Sequence, residues 1–137
     1  MADLKISQLT AVTTPLALTE ELPAVQSAST KKVTVQQMLT GVIVTDATTA
    51  RTLSATDNGK IIYCTSASAV TITCAASLGA GFNVTIIQGG AGKVTVAAGG
   101  QTLASYSSLF STMGQYAVIS LICPVANTFV AAGNLGV

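Results

Sequence analysis

Beyond about residue 48 the chain is written in short runs in which apolar and small polar side chains alternate with period two, and glycine recurs between the runs. Alternation of this kind gives a strand one apolar face and cannot make the stripe of an amphipathic helix, so this region is confined to β structure. The runs span 50–54, 60–65, 69–74, 82–88, 93–98, 115–123 and 127–132, separated by Asn58-Gly59, 79–81, 89–92 and Gly99-Gly100. Short strands with glycine turns at this spacing predict an all-β fold: an antiparallel β-sandwich or jelly-roll-like domain over 46–137, preceded by an extended N-terminal arm over 1–45 with short helical turns.

Hairpin pairing can be written out from the pattern. A loop at Ser66-Ala67-Ser68 sets Cys64 opposite Val70, Ile62 opposite Ile72 and Lys60 opposite Cys74. One face then carries Ile62, Cys64, Val70, Ile72 and Cys74, and the other Tyr63, Thr65, Thr71 and Thr73, as a half-buried antiparallel pair requires. Cys64 and Cys74 are not opposed in this register, so the cysteines read as small core side chains rather than a disulfide. The next pair, 82–88 with 93–98, matches faces only if 89–92 contains a bulge. The late strands break the alternation. Tyr116, Val118, Ile119, Leu121 and Ile122, then Phe129 and Val130, are apolar on both faces. A strand apolar on both faces is covered on both, either by a second copy of the chain or by the segment 105–113.

The first 45 residues read differently. Ile6-Ser7-Gln8-Leu9 suggests one helical turn, and a threonine-rich stretch follows, broken by Pro15. Two extended pieces, 22–26 and 30–33, joined by Ser27-Ala28-Ser29, predict a hairpin. Thr34 is placed to cap a short helix over 35–39, with Gln37 completing a capping box and Gly41 as the stop. This arm holds too few apolar residues for a core of its own and is expected to order by docking.

The composition argues against catalysis. Histidine is absent, so no Ser-His-Asp or Cys-His arrangement can form. The carboxylates Asp3, Glu20, Glu21, Asp46 and Asp57 lie in the arm and early turns, with no pair framed by strands. Three cysteines without CxxC spacing give no metal site. Gly89-Gly90-Ala91-Gly92-Lys93 looks like a phosphate loop, but Ile87 stands at its first glycine and Val94 where the magnesium-holding hydroxyl belongs. No catalytic residue, metal or cofactor is predicted. A net charge of +1 offers no field for nucleic acid, and the longest apolar stretch, 116–126, is too short to cross a bilayer as a helix. The N-terminus lacks the apolar core of a signal peptide, so the chain is expected to be made in the cytoplasm. Only 8% of the residues are charged, and after Lys60 the one charged side chain is Lys93. A surface so poor in charge is expected to be covered by other protein. Tyr106 and Phe110, in a serine-rich segment, form either a recognition loop or a cap on the edge of the β domain.

The arm, from Ile6-Ser7-Gln8-Leu9 through Leu22-Pro23-Ala24-Val25-Gln26 to Thr30-Lys31-Lys32-Val33-Thr34-Val35-Gln36-Gln37-Met38-Leu39, resembles the N-terminal attachment segment of tailed-bacteriophage virion proteins. Asp57-Asn58-Gly59-Lys60-Ile61-Ile62-Tyr63-Cys64 and Ser68-Ala69-Val70-Thr71-Ile72-Thr73 look like the β-domain that follows such segments in phage structural proteins. The resemblance implies a homotrimeric virion component, docked to the major capsid protein or another virion protein through Ile6, Leu9, Leu22, Val25, Lys31, Lys32, Val33 and Val35. The short chain favours a capsid decoration protein or head fibre. The alternatives are a tail fibre or baseplate appendage, or a host-surface adhesin using Tyr106 and Phe110.

Overall fold

The computed structural model describes residues 41–137 and, among the first forty, the backbone of two strands, β1 (Glu21–Gln26) and β2 (Ser29–Thr34). The chain divides into two compact units, Met1–Thr40 and Gly41–Val137. In the first, β1 and β2 pair antiparallel from Glu21↔Thr34 to Gln26↔Ser29, so the expected pairing of the two extended pieces forms. The helical turn at 6–9 and the helix at 35–39 lie outside the described residues.

The second unit is all β, as the alternation requires, but it is not an antiparallel sandwich. Its first six strands are β3 (Ile43–Asp46), β4 (Ala50–Thr52), β5 (Ile61–Cys64), β6 (Val70–Thr73), β7 (Asn83–Gln88) and β8 (Val94–Ala97). Odd strands stack in parallel in one sheet, β3-β5-β7, and even strands in the other, β4-β6-β8. The chain therefore crosses the core at every turn and coils as a β-solenoid. The expected hairpins at 66–68 and 89–92 are corners between sheets, and Cys64 and Val70 face the core from opposite sides rather than pairing side by side. The remaining strands are β9 (Thr102–Ser105), β10 (Ser111–Thr112), β11 (Val118–Val125), β12 (Thr128–Gly133) and β13 (Leu135–Gly136). They complete a six-stranded sheet, β3-β5-β7-β11-β12-β9, and a five-stranded sheet, β13-β10-β8-β6-β4.

Inward-facing residues of both sheets meet in one core. Ile62, Ile86, Ile119, Leu121 and Phe129 come from the six-stranded side, and Ile72 and Val94 from the other, each fully buried. Burial of such side chains, worth about 1.5–3 kcal/mol each, is the main force holding the sheets together. Cys64, Cys74 and Cys123 are free and buried in this core. Burial pushes the Cys64 and Cys74 thiols up to about 11, which suppresses the thiolate and leaves them as packing groups.

The glycine run has a packing reason. Gly90 N donates to Cys64 O at 2.9 Å and Gly92 N to Ser66 O at 3.0 Å, so one corner lies directly on the corner before it. A Cβ at Gly92 would lie 1.9 Å from Ser68 O, which only glycine avoids. The bulge expected at 89–92 occurs instead in β11, between Ile122 and Val125, around Pro124.

Candidate functional site

The feature of this unit that calls for a functional account is the outer face of the six-stranded sheet. In a strand, residues that alternate with core positions point away from the core. Outward positions pair across strands in rows: Ile43–Ile61–Thr85–Ser120–Ala132, then Thr45–Tyr63–Ile87–Val118, then Asn83–Ile122–Val130–Ala104. None of these side chains is charged. Ile43 is 64% exposed, Ile122 45% and Val130 38%. Tyr63 is half-buried, and Gly89 makes room for its ring, since a Cβ there would sit 2.3 Å from the ring Cζ.

Tyr116 stands at the end of this face marked by Ile87 and Val118. Its φ is 66°, a left-handed conformation that a bulky side chain adopts only under constraint. The constraint is visible in the hydrogen bonds: Tyr116 N donates to Gln88 O at 2.7 Å, and Gln115 Nε2 donates to Gly89 O at 2.7 Å. The result is an aromatic side chain 70% exposed on a pinned backbone. Backbone strain of this kind collects at binding sites.

The structure divides the residues that the sequence assigned to a subunit interface. Val118, Ile122 and Val130 belong to the outer face, and Tyr116 is exposed in the turn that leads into β11. Ile119, Leu121 and Phe129 are core residues at 0% exposure, so no partner can reach them; the strands 118–125 and 128–133 have one interior face and one exterior face. The segment 105–113 does not cover the exterior face. It leads from β9 in the six-stranded sheet to β10 in the five-stranded one, and Phe110 packs against the core. Phe110 thus anchors that segment, whereas Tyr106 is fully exposed. Ile43, Ile61, Tyr63 and Ile87 are members of the outer face that the sequence reading did not assign to an interface. Their signal was there, since Ile61-Ile62-Tyr63-Cys64 is apolar on both faces. Of the arm residues assigned to docking, Leu22, Val25, Lys31, Lys32 and Val33 have backbones in the β1–β2 hairpin, while Ile6, Leu9 and Val35 lie outside the described residues.

The opposite face, on the five-stranded sheet, is different in kind. Ala50, Thr52, Thr71, Thr73, Thr95, Ala97 and Ser111 point outward, and Thr95 and Ser111 share a hydroxyl hydrogen bond at 2.9 Å. Small hydroxyl side chains hydrate well, so this face is suited to water.

The first coil closes its end of the solenoid with ions. Asp46, Cys64 and Gln88 occupy one inward column, and Arg51, Ile72 and Val96 another. Arg51 Nη1 donates to Asp46 Oδ2 at 3.0 Å, and Nη2 donates to Asp57 Oδ1 at 2.6 Å. Thr48 donates to Asp46 from its N at 2.8 Å and its Oγ1 at 2.6 Å, and Ser54 N donates to Asp57 at 2.9 Å. Burial by itself raises both carboxyls, but the donors outweigh it: Thr48 and Arg51 hold Asp46, and Ser54 and Arg51 hold Asp57, below the usual carboxylate range. A folded pKa below the unfolded one stabilises above the unfolded value, about 4, and is lost as pH falls through the lower folded value. The urea midpoint is therefore expected to stay level from neutral pH to about 5 and to drop below about pH 4. Asp57→Asn should flatten that acid limb, and an unchanged limb in this variant would show that the network does not govern it.

A shallow depression of about 290 Å³, lined by Ala55, Asn58 and residues 77–82, carries no ionisable side chain. Among the described residues no cluster of three or more His, Cys, Asp or Glu is arranged to hold a metal ion. A comparison with protein-family models and with curated proteins finds no match to this chain.

Proposed function

We propose that this chain is a structural protein of a tailed-bacteriophage virion, a capsid decoration or short head-fibre protein. Its N-terminal arm docks to the major capsid protein or another virion protein, and its β domain self-associates as a homotrimer. The observation that carries this reading is an outer face on the β unit that has no charged side chain and exposes Ile43, Ile122 and Val130. Such a surface acts by covering area, and many identical copies on a shell multiply a small contact into a large one. The arm sequence, with its attachment-like motifs around the β1–β2 hairpin, supports the docking half of the reading.

A variant lacking residues 1–40 is expected to remain folded, because the second unit holds its own core, and to lose binding to particles. Co-sedimentation with purified virions measures this, and undiminished binding would remove the arm from its docking role. A second reading, an adhesin for the host surface, draws on Tyr106, which is fully exposed in the segment between β9 and β10. An exposed tyrosine contributes contact area at small entropic cost.

A further inference from the structure

We infer that copies of this chain meet through the outer face of the six-stranded sheet, with Tyr116 as its aromatic anchor; the inference deepens the self-association part of the function proposed above. The face extends well beyond the late strands, from Ile43 in β3 through Ile87 in β7 and Ile122 in β11 to Val130 in β12. A water-facing sheet surface is ordinarily polar; this one carries no charged side chain and exposes Ile43, Ile122 and Val130 where the five-stranded sheet presents mainly threonine and serine hydroxyls.

The absence of charge selects the occupant. A partner with an acidic or basic surface would bury ions against a face with no counter-ions, at a cost that specific interfaces avoid. A membrane surface is recognised by apolar side chains rimmed with Lys and Arg, and after Lys60 only Lys93 remains in the sequence. A second copy presents an uncharged surface of the same kind. Tyr116 fits the anchor's role, since tyrosine is enriched among residues that dominate binding and its backbone is already pinned. Six strands about 4.8 Å apart and four to eight residues long give a plan area of about 500 Å². That falls short of the roughly 800 Å² per partner of a standard stable pair, so the contact opens on dilution and closes when copies are concentrated.

Sedimentation of the full-length chain over a concentration series tests this. The wild type should associate reversibly. Ile122→Lys and, independently, Val130→Lys should each raise the dissociation constant about tenfold or more, with unchanged far-ultraviolet circular dichroism. Thr71→Lys, on the hydroxyl face, should leave it unchanged. A chain that stays monomeric at every concentration overturns the inference, as does flotation of a monomer with phosphatidylcholine vesicles, or dissociation by Thr71→Lys but not by Ile122→Lys. Particles are absent from this experiment, so it separates the two ideas. Association without any later binding to virions would keep this face and remove the virion role, and a monomer that binds virions would do the reverse.

Discussion

Arg51→Ala is expected to lower folding stability by about 3–5 kcal/mol, the range for breaking a buried ion pair by removing one partner. The guanidinium joins two carboxylates, and Asp46 is 7% exposed and Asp57 2%. Without it, both lie buried with no cation, held only by the donors of Thr48 and Ser54. Arg51 itself is about a quarter exposed, which places the effect toward the lower end of the range. Arg51→Lys should recover only part of the loss, because an ammonium cannot present the flat fork that spans both acids. Urea denaturation followed by circular dichroism measures the change. A loss under about 1 kcal/mol would mean that the acids are solvated and that the first coil is not closed by ions.

Phe129→Ala is the second large effect, again about 3–5 kcal/mol, because it empties the centre of the core. Its neighbour separates the two faces of β12: Val130→Ala, at a surface position 38% exposed, should cost well under half as much. The comparison also separates core from interface. Loss of a core ring is independent of protein concentration, whereas loss of a subunit contact grows with dilution. If the Phe129→Ala deficit disappeared at high protein concentration, Phe129 would belong to an interface and the assignment of β12's inner face would be wrong.

These two variants mark where sequence and structure part. Period-two alternation located all seven of the expected strands within a few residues, and the β1–β2 hairpin in the arm. It could not determine which strands are neighbours. Ile62 and Ile72 face the same core whether their strands lie side by side in a hairpin or across from one another in a coil, so both topologies satisfy the alternation. What decides is the corner. Gly90 and Gly92 are crowded by the backbone of 65–68, a contact between turns of a coil that a free hairpin loop would not make. The inward columns hold a weaker clue, with Asp46, Cys64 and Gln88 spaced 18 and then 24 residues apart, too irregular to stand out as a repeat.

The outer face was legible in part for a related reason. Runs such as Tyr116 to Cys123 announce two apolar faces, but not which residues belong to which. Ile119, Leu121 and Phe129 fall on the inner face and Ile122 and Val130 on the outer, a division that follows from the register with β7. The contributions of β3, β5 and β7 come from strands that lie far apart in sequence and close together only after the chain has coiled. The ionic end of the solenoid was missed because Asp46 and Asp57 sit in turn-like sequence. Only the parallel stacking of β4 on β6 brings Arg51 inward, between them.

Electron cryomicroscopy of purified tailed-phage particles that bind this chain tests the central proposal most directly. The account predicts density for the two-sheet β unit at repeated positions on the head, with the apolar faces of neighbouring copies turned toward one another and the N-terminal arm against the shell. Density for this chain only on the tail, or nowhere on the particle, would contradict it.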